Sequence, residues 1–202
     1  MEFRDVIRKR RMVRAFTDEP VDPQAVHRIL TAANRAPSAG FSQGYALLVL
    51  DQPDQLAPFW ALQYDDDDDT AWFAPVTKAP LVVVPLSCKD IYLDRYARPD
   101  KGWTDRDEAH WPVPYWDIDT GFMAMLMLLA AVDEGLGALF FGIMPAAIGP
   151  FRELFSVPEE YVPIGAVAIG HPDATVAAAD QVGSSRVIKR RELAELVHRG
   201  RW

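Results

Sequence analysis

The 202-residue chain has a single cysteine, Cys88, so no internal disulfide can form, and neither Cys-x-x-Cys nor His-Glu-x-x-His is present to hold a metal. No Gly-x-Gly-x-x-Gly follows a strand-like run and no Gly-Lys-Ser/Thr loop exists, which removes the main support for a nicotinamide-binding domain or a nucleotide triphosphatase. The four histidines (His27, His110, His171, His198) are far apart, and Ser38, Ser42, Ser184 and Ser185 stand in no nucleophile-elbow pattern. Hydrolysis by a side-chain nucleophile is therefore not expected. The longest strongly apolar run, Gly121 to Val132, has 12 residues. A bilayer requires roughly 20, so this run reads as a helix buried in the core or at a subunit interface. No apolar stretch follows the basic residues of the opening MEFRDVIRKRR, so no secretion signal is expected and the location implied is the cytoplasm.

Half the residues are hydrophobic and a quarter charged, a balance that supports one folded domain over residues 1–202 rather than intrinsic disorder. The charge is unevenly placed. Against 21 Lys and Arg stand 29 Asp and Glu, yet residues 1–14 carry six basic side chains against Glu2 and Asp5, and residues 186–202 carry six against Glu192 and Glu195. Two basic ends on an acidic body read as solvated tails, a nucleic-acid footprint, or two halves of one small-anion site. Nucleic acid is disfavoured by the acidic body and by the lack of a basic aromatic module. Both ends also carry apolar residues at helical spacing (Phe3, Val6, Ile7; Leu193, Leu196, Val197), unlike simple tails. The run Asp65–Asp69 reads as a solvated loop, because calcium loops space their ligands and turn on a glycine.

Helical spacing predicts a first helix over Glu2 to Arg11 and a second after Asp22-Pro23, ended by Pro37. Strands are expected over Gly44–Leu50, Leu81–Leu86, Leu139–Met144 and Ile164–Gly170, with Pro85 marking a strand end. A long helix from Thr120 to about Glu134, capped by Asp119, and a short one over Ile148–Phe155 complete the set. Residues 52–117 look irregular apart from one strand and hold five of the six tryptophans (Trp60, Trp72, Trp103, Trp111, Trp116), as an aromatic and acidic lid would. The fold class is α+β, a central mixed or antiparallel sheet flanked by helices.

With side-chain nucleophiles and metal motifs lacking, chemistry by a bound cofactor remains. Three segments carry a resemblance: Ile7-Arg-Lys-Arg-Arg-Met-Val-Arg-Ala-Phe16, Ala36-Pro-Ser-Ala-Gly-Phe-Ser-Gln43, and the apolar helix ending at Gly135-Leu-Gly137 together with Lys189-Arg-Arg-Glu-Leu-Ala-Glu-Leu196. In this order they resemble the FMN-dependent nitroreductase family. The resemblance implies an obligate homodimer with FMN at its interface, an NAD(P)H-dependent oxidoreductase that takes hydride at flavin N5 and reduces a planar nitroaromatic or quinone by a ping-pong mechanism. It implies a phosphate cradle from Arg10, Arg11, Lys189 and Arg191, a cation at the N1–C2 carbonyl edge from Arg14, and contacts from Pro37, Ser38 and Ala39 of the partner subunit. Gly142 would place its amide near N5, with Ile143 as an apolar neighbour of the ring; Arg14 and Gly142 are the implied catalytic groups. Met12 stands where the family usually has a phosphate-binding hydroxyl, Phe41 where asparagine is common, and Gly44-Tyr45 in place of Pro-Trp. Other relatives on the same fold, a flavin-storing or sensing protein and a flavin-modifying enzyme, remain open at this point.

Overall fold

Leu81–Ser87 (β2) is apolar at every position but the last, and a strand with no polar face must be covered on both sides. The computed structural model, which describes residues 1–63, 73–176 and 188–202, shows that cover. β2 lies between β1 (Tyr45–Leu50) and β5 (Ala166–Gly170), with β3 (Gly137–Phe141) outside β5 and the two-residue β4 (Val162–Pro163) also pairing with β2; every pairing between these strands is antiparallel. Val82, Val84 and Leu86 point into one apolar layer, shared with Phe59 of α3 (Pro53–Gln63) and Phe151 of α6 (Ile148–Phe155). Leu81 and Val83 point into the other, shared with Ile29 of α2 (Pro23–Ala33) and with Met123, Met127 and Leu128 of α5 (Tyr115–Asp133). Each large apolar side chain so buried contributes about 1.5–3 kcal/mol. The remaining helices are α1 (Phe3–Lys9), α4 (Lys89–Tyr96) and α7 (Leu193–Leu196).

Asp22 caps α2 as its sequence context suggests, its side chain accepting from the Gln24 N–H at 3.0 Å with Pro23 at the first helical position. Four expectations need correction. Helix α1 stops at Lys9, because residues 12–13 are drawn alongside β3: Met12 bridges Ala138 in parallel and the Val13 N–H donates to the Ala138 carbonyl at 3.0 Å. Asp119 does not cap α5, which starts at Tyr115; the carboxylate sits inside the helix and takes its donors from other elements. β2 runs through Pro85 to Ser87, the Pro85 carbonyl still accepting from the Ile164 N–H. The stretch 52–117 holds, besides β2, two helices that the sequence does not suggest, α3 and α4, whose apolar residues do not form one stripe of helical period, while residues 97–114 hold neither α-helix nor strand. Trp60 belongs to the core, packed against Phe59, Phe73 and Phe141. Trp72 and the run Asp65–Asp69 lie outside the described residues. Helix α5 has the length and composition of a membrane span, but it buries Met123, Ala124, Met127, Leu128 and Ala131 against the sheet and α2.

The segment after α1 approaches β3 so closely that a Cβ on Gly137 would lie 2.8 Å from Val13 Cγ2. Gly137→Ala therefore forces Val13 or β3 to move; overpacking of this kind costs about 1–3 kcal/mol, and the expected result is a fall of several degrees in the thermal midpoint. An unchanged midpoint by calorimetry would show that the segment is free to shift.

Candidate active site

Three arginines ride on the extended segment that this contact holds. Arg10 has left the helix (φ −58, ψ 122), Val13 and Ala15 turn into the core, and Met12 and Arg14 are half-buried on the alternate side. Met12 packs against both apolar layers, so the side chain that replaces the usual hydroxyl serves the core. Among the described residues Arg14 Nη1 donates only to the Met12 carbonyl, at 3.4 Å. In a chain with net charge −8, four arginines find carboxylates (Arg8 with Asp5, Arg28 with Glu134, Arg95 with Asp100, Arg106 with Asp90 and Asp94), while others, such as Arg35 and Arg98, find none among the described residues. Among the described residues Arg10, Arg11 and Arg14 have none within ion-pair distance. Arg10 and Arg11 line a cleft of about 540 Å³ with Arg8, Lys9 and Val13.

The parallel bridge at Met12 and Ala138 starts this segment in the direction in which β3 runs toward Gly142. Gly142 is exposed just beyond the strand, a Cβ there would meet nothing within 4 Å, and its N–H donates to no backbone carbonyl among the described residues. Ile143 turns into the core, and the next turn is held by Gln63, whose Oε1 accepts from the Met144 N–H at 3.2 Å. Nothing in the sequence marks Gln63, an isolated polar residue at the end of α3.

The loop after α2 is strained. Gly40, Phe41 and Gln43 all have φ between 53° and 58°, a region that only glycine enters freely, and Phe41 is 73% exposed. Pro37 is exposed and Ser38 half-buried, its Oγ accepting from the Gln43 N–H at 3.0 Å. The Ala39 N–H is already used: it donates to Asp119 Oδ2 at 2.8 Å. The same oxygen accepts from Tyr92 Oη at 2.8 Å, and Arg95 Nε donates to the Gly40 carbonyl at 2.9 Å. Burial, then the hydrogen bond to Asp119, pushes the Tyr92 phenol well above the ordinary tyrosine range. Burial raises Tyr45 as well, with the Asp119 charge adding to it. Below the loop, Tyr96 packs against Trp103 and Trp111, and Trp103 stacks on His110, so the tryptophans of 103–116 pack the connection onto α4.

Lys189 and Arg191 do not join Arg10 and Arg11 within one chain. Residues 188–202 are exposed throughout and, among the described residues, make no hydrogen bond or ion pair with residues 1–176.

A model of the nitroreductase family matches residues 7–171. A protein of Methanothermobacter thermautotrophicus assigned as NADH dehydrogenase/NAD(P)H nitroreductase is 25% identical over 93% of this chain and 86% of its own. An NADPH-dependent oxidoreductase of Staphylococcus aureus is 22% identical over 90% of this chain and 67% of its own. Among solved structures, a nitroreductase family protein from Clostridium difficile superposes over 100% of both chains with a TM-score of 0.70 at 22% identity. A Desulfovibrio desulfuricans protein assigned as a nitroreductase and crystallised with FMN superposes over 100% of this chain and 98% of its own, with a TM-score of 0.71 at 24% identity.

Tyr92 holds its proton more tightly folded than unfolded, so the stability linked to that proton is intact below the ordinary tyrosine pKa of about 10 and declines as pH rises above it. The thermal midpoint of the parent is expected to fall more steeply above pH ~10 than that of Tyr92→Phe, which lacks the titration. Parallel curves for the two proteins would mean that Tyr92 is not protected in this way.

Proposed function

The chain belongs to the nitroreductase family, and from that premise we propose that it is a homodimeric FMN-dependent oxidoreductase that oxidises NAD(P)H and reduces a planar acceptor, a nitroaromatic or a quinone, in two successive half-reactions. The observation that carries this reading is the clustering of Arg10, Arg11 and Arg14 within five residues of one extended segment beside β3, none of them with a carboxylate partner among the described residues. An anion of matching shape is what such a set lacks, and a phosphate monoester suits forked guanidinium donors.

The residues present fit FMN. Arg10 and Arg11 would hold its phosphate, with Lys189 and Arg191 closing the cradle. FMN would supply, when bound, a reversible two-electron acceptor. Arg14 would keep a positive charge against the carbonyl edge of the ring system, where negative charge gathers on reduction. The Gly142 N–H, which donates to no backbone carbonyl among the described residues, is a donor of the kind that would orient a ring nitrogen. Pro37, Ser38 and Phe41 would come from the partner subunit, with Phe41 giving the rim an apolar face in place of a polar one. This suits an aromatic acceptor and excludes water from it.

Two features support the dimer. Phe3 and Ile7 on α1, and Ile118, Phe122 and Met125 on α5, are exposed apolar side chains on helices that touch each other. Ile188, Leu193, Leu196 and Val197 of the C-terminal segment are likewise uncovered.

Arg10→Ala with Arg191→Ala should fold yet purify largely without flavin, read as loss of the visible flavin bands; full retention of FMN sinks the cradle. Phe41→Asn should keep FMN and raise KM for a naphthoquinone several-fold, roughly the 1 kcal/mol expected from losing one apolar contact surface, while leaving KM for NAD(P)H less affected.

A further inference from the structure

Asp119 is a carboxylate at 3% exposure with no cation paired to it among the described residues. A charge withdrawn from water this completely has to be met by hydrogen-bond donors. The donors come from two other elements: Tyr92, fully buried on α4, and the Ala39 N–H at the start of the strained loop.

The approach of Tyr92 is itself arranged. A Cβ on Gly44 would lie 2.5 Å from Tyr92 Cε2 and 2.7 Å from the Cys88 carbonyl, so only glycine lets the ring lie across the start of β1 and reach Asp119. The same holds one turn along α4, where a Cβ on Gly40 would lie 2.7 Å from Tyr96 Cε2 while Arg95 grips the Gly40 carbonyl. Thus α5 fixes the start of the loop through Asp119, and α4 fixes its middle through Arg95 and Tyr96. Between and just beyond these anchors the backbone adopts three left-handed residues, two of them not glycine. Such conformations persist only where their surroundings over-determine them.

We infer that Asp119 and Tyr92 are positioning residues that hold the 38–43 loop so that Phe41 projects into the acceptor site. The functional half of this inference rests on the oxidoreductase reading above; the structural half does not. Neither residue touches the reacting atoms. They act through Phe41, and Gly44, which departs from the family's usual proline, is what admits the Tyr92 ring.

The test uses the full-length FMN-loaded protein and two mild variants, Tyr92→Phe and Asp119→Asn, because removal of the whole Asp119 side chain invites misfolding. Amide hydrogen exchange of residues 38–43 is expected to speed up on the order of ten-fold in both, with exchange in β2 unchanged. KM for a naphthoquinone should rise about five-fold with kcat and FMN content kept, and that rise should shrink below two-fold when Tyr92→Phe is made in a Phe41→Ala background. Independent multiplication of the Tyr92 and Phe41 effects would overturn the positioning role, since a purely structural Tyr92 predicts it. Loop exchange within two-fold of the parent in both variants would overturn the tether. Faster loop exchange in a protein that binds no FMN or turns over no quinone would keep the tether and discard only its link to catalysis, a failure of the oxidoreductase reading.

Discussion

Both faces of β2 are out of water, and most of the molecule is organised to keep them so. A strand of alternating polarity needs one layer of cover, whereas Leu81–Leu86 needs two, which sets α2 and α5 on one side of the sheet and α3 and α6 on the other. The sites then arise at the margins of that packing. The N-terminal segment is added beside β3 by a single bridge and one close approach, and in that position it cannot bury its arginines. The loop after α2 leaves the same layer and has to turn over α4 before entering β1.

Electrostatics divides the molecule in a similar way. The acidic excess lies mostly on exposed loops and helix termini, where Asp100, Glu108 and Glu134 engage Arg95, Lys89 and Arg28. Surface pairs of this type add little to stability individually. They occupy the lysine and arginines of α2 and α4, whereas among the described residues the clustered arginines at 10, 11 and 14 have no such partners. Asp119 is the inverse case, an anion whose partners are all neutral donors, so its position is set by direction as much as by charge.

Much of this was legible in the residues. The Asp22-Pro23 start of α2, the strand at Tyr45–Leu50 and the helix Ile148–Phe155 follow from local rules, because capping, period and apolar content agree there. The N-terminal basic segment, the Ala36–Gln43 motif and the apolar helix carried the resemblance to the nitroreductase family, and the family match over residues 7–171 bears that resemblance out. What was not legible depended on tertiary partners. Asp119 looks like a cap because aspartate before an apolar run usually is one; its true donors are 80 and 27 residues away in sequence. Helices α3 and α4 escaped notice because Pro58 and scattered charges blur their period. Gln63, Tyr92 and Arg95 carry no local signature, and only folding shows that Gln63 and Arg95 hold the backbone at Met144 and Gly40 while Tyr92 donates to the Asp119 oxygen that also accepts from the Ala39 N–H.

The left-handed conformations of Phe41 and Gln43 have an evolutionary consequence. A non-glycine residue held there costs on the order of 1 kcal/mol or more, so glycine at either place would relieve the backbone. Selection for heat resistance alone should therefore drift toward glycine at these positions and remove the exposed Phe41 side chain as it does so. If Phe41 forms the apolar rim proposed above, thermostability and substrate choice pull this codon in opposite directions.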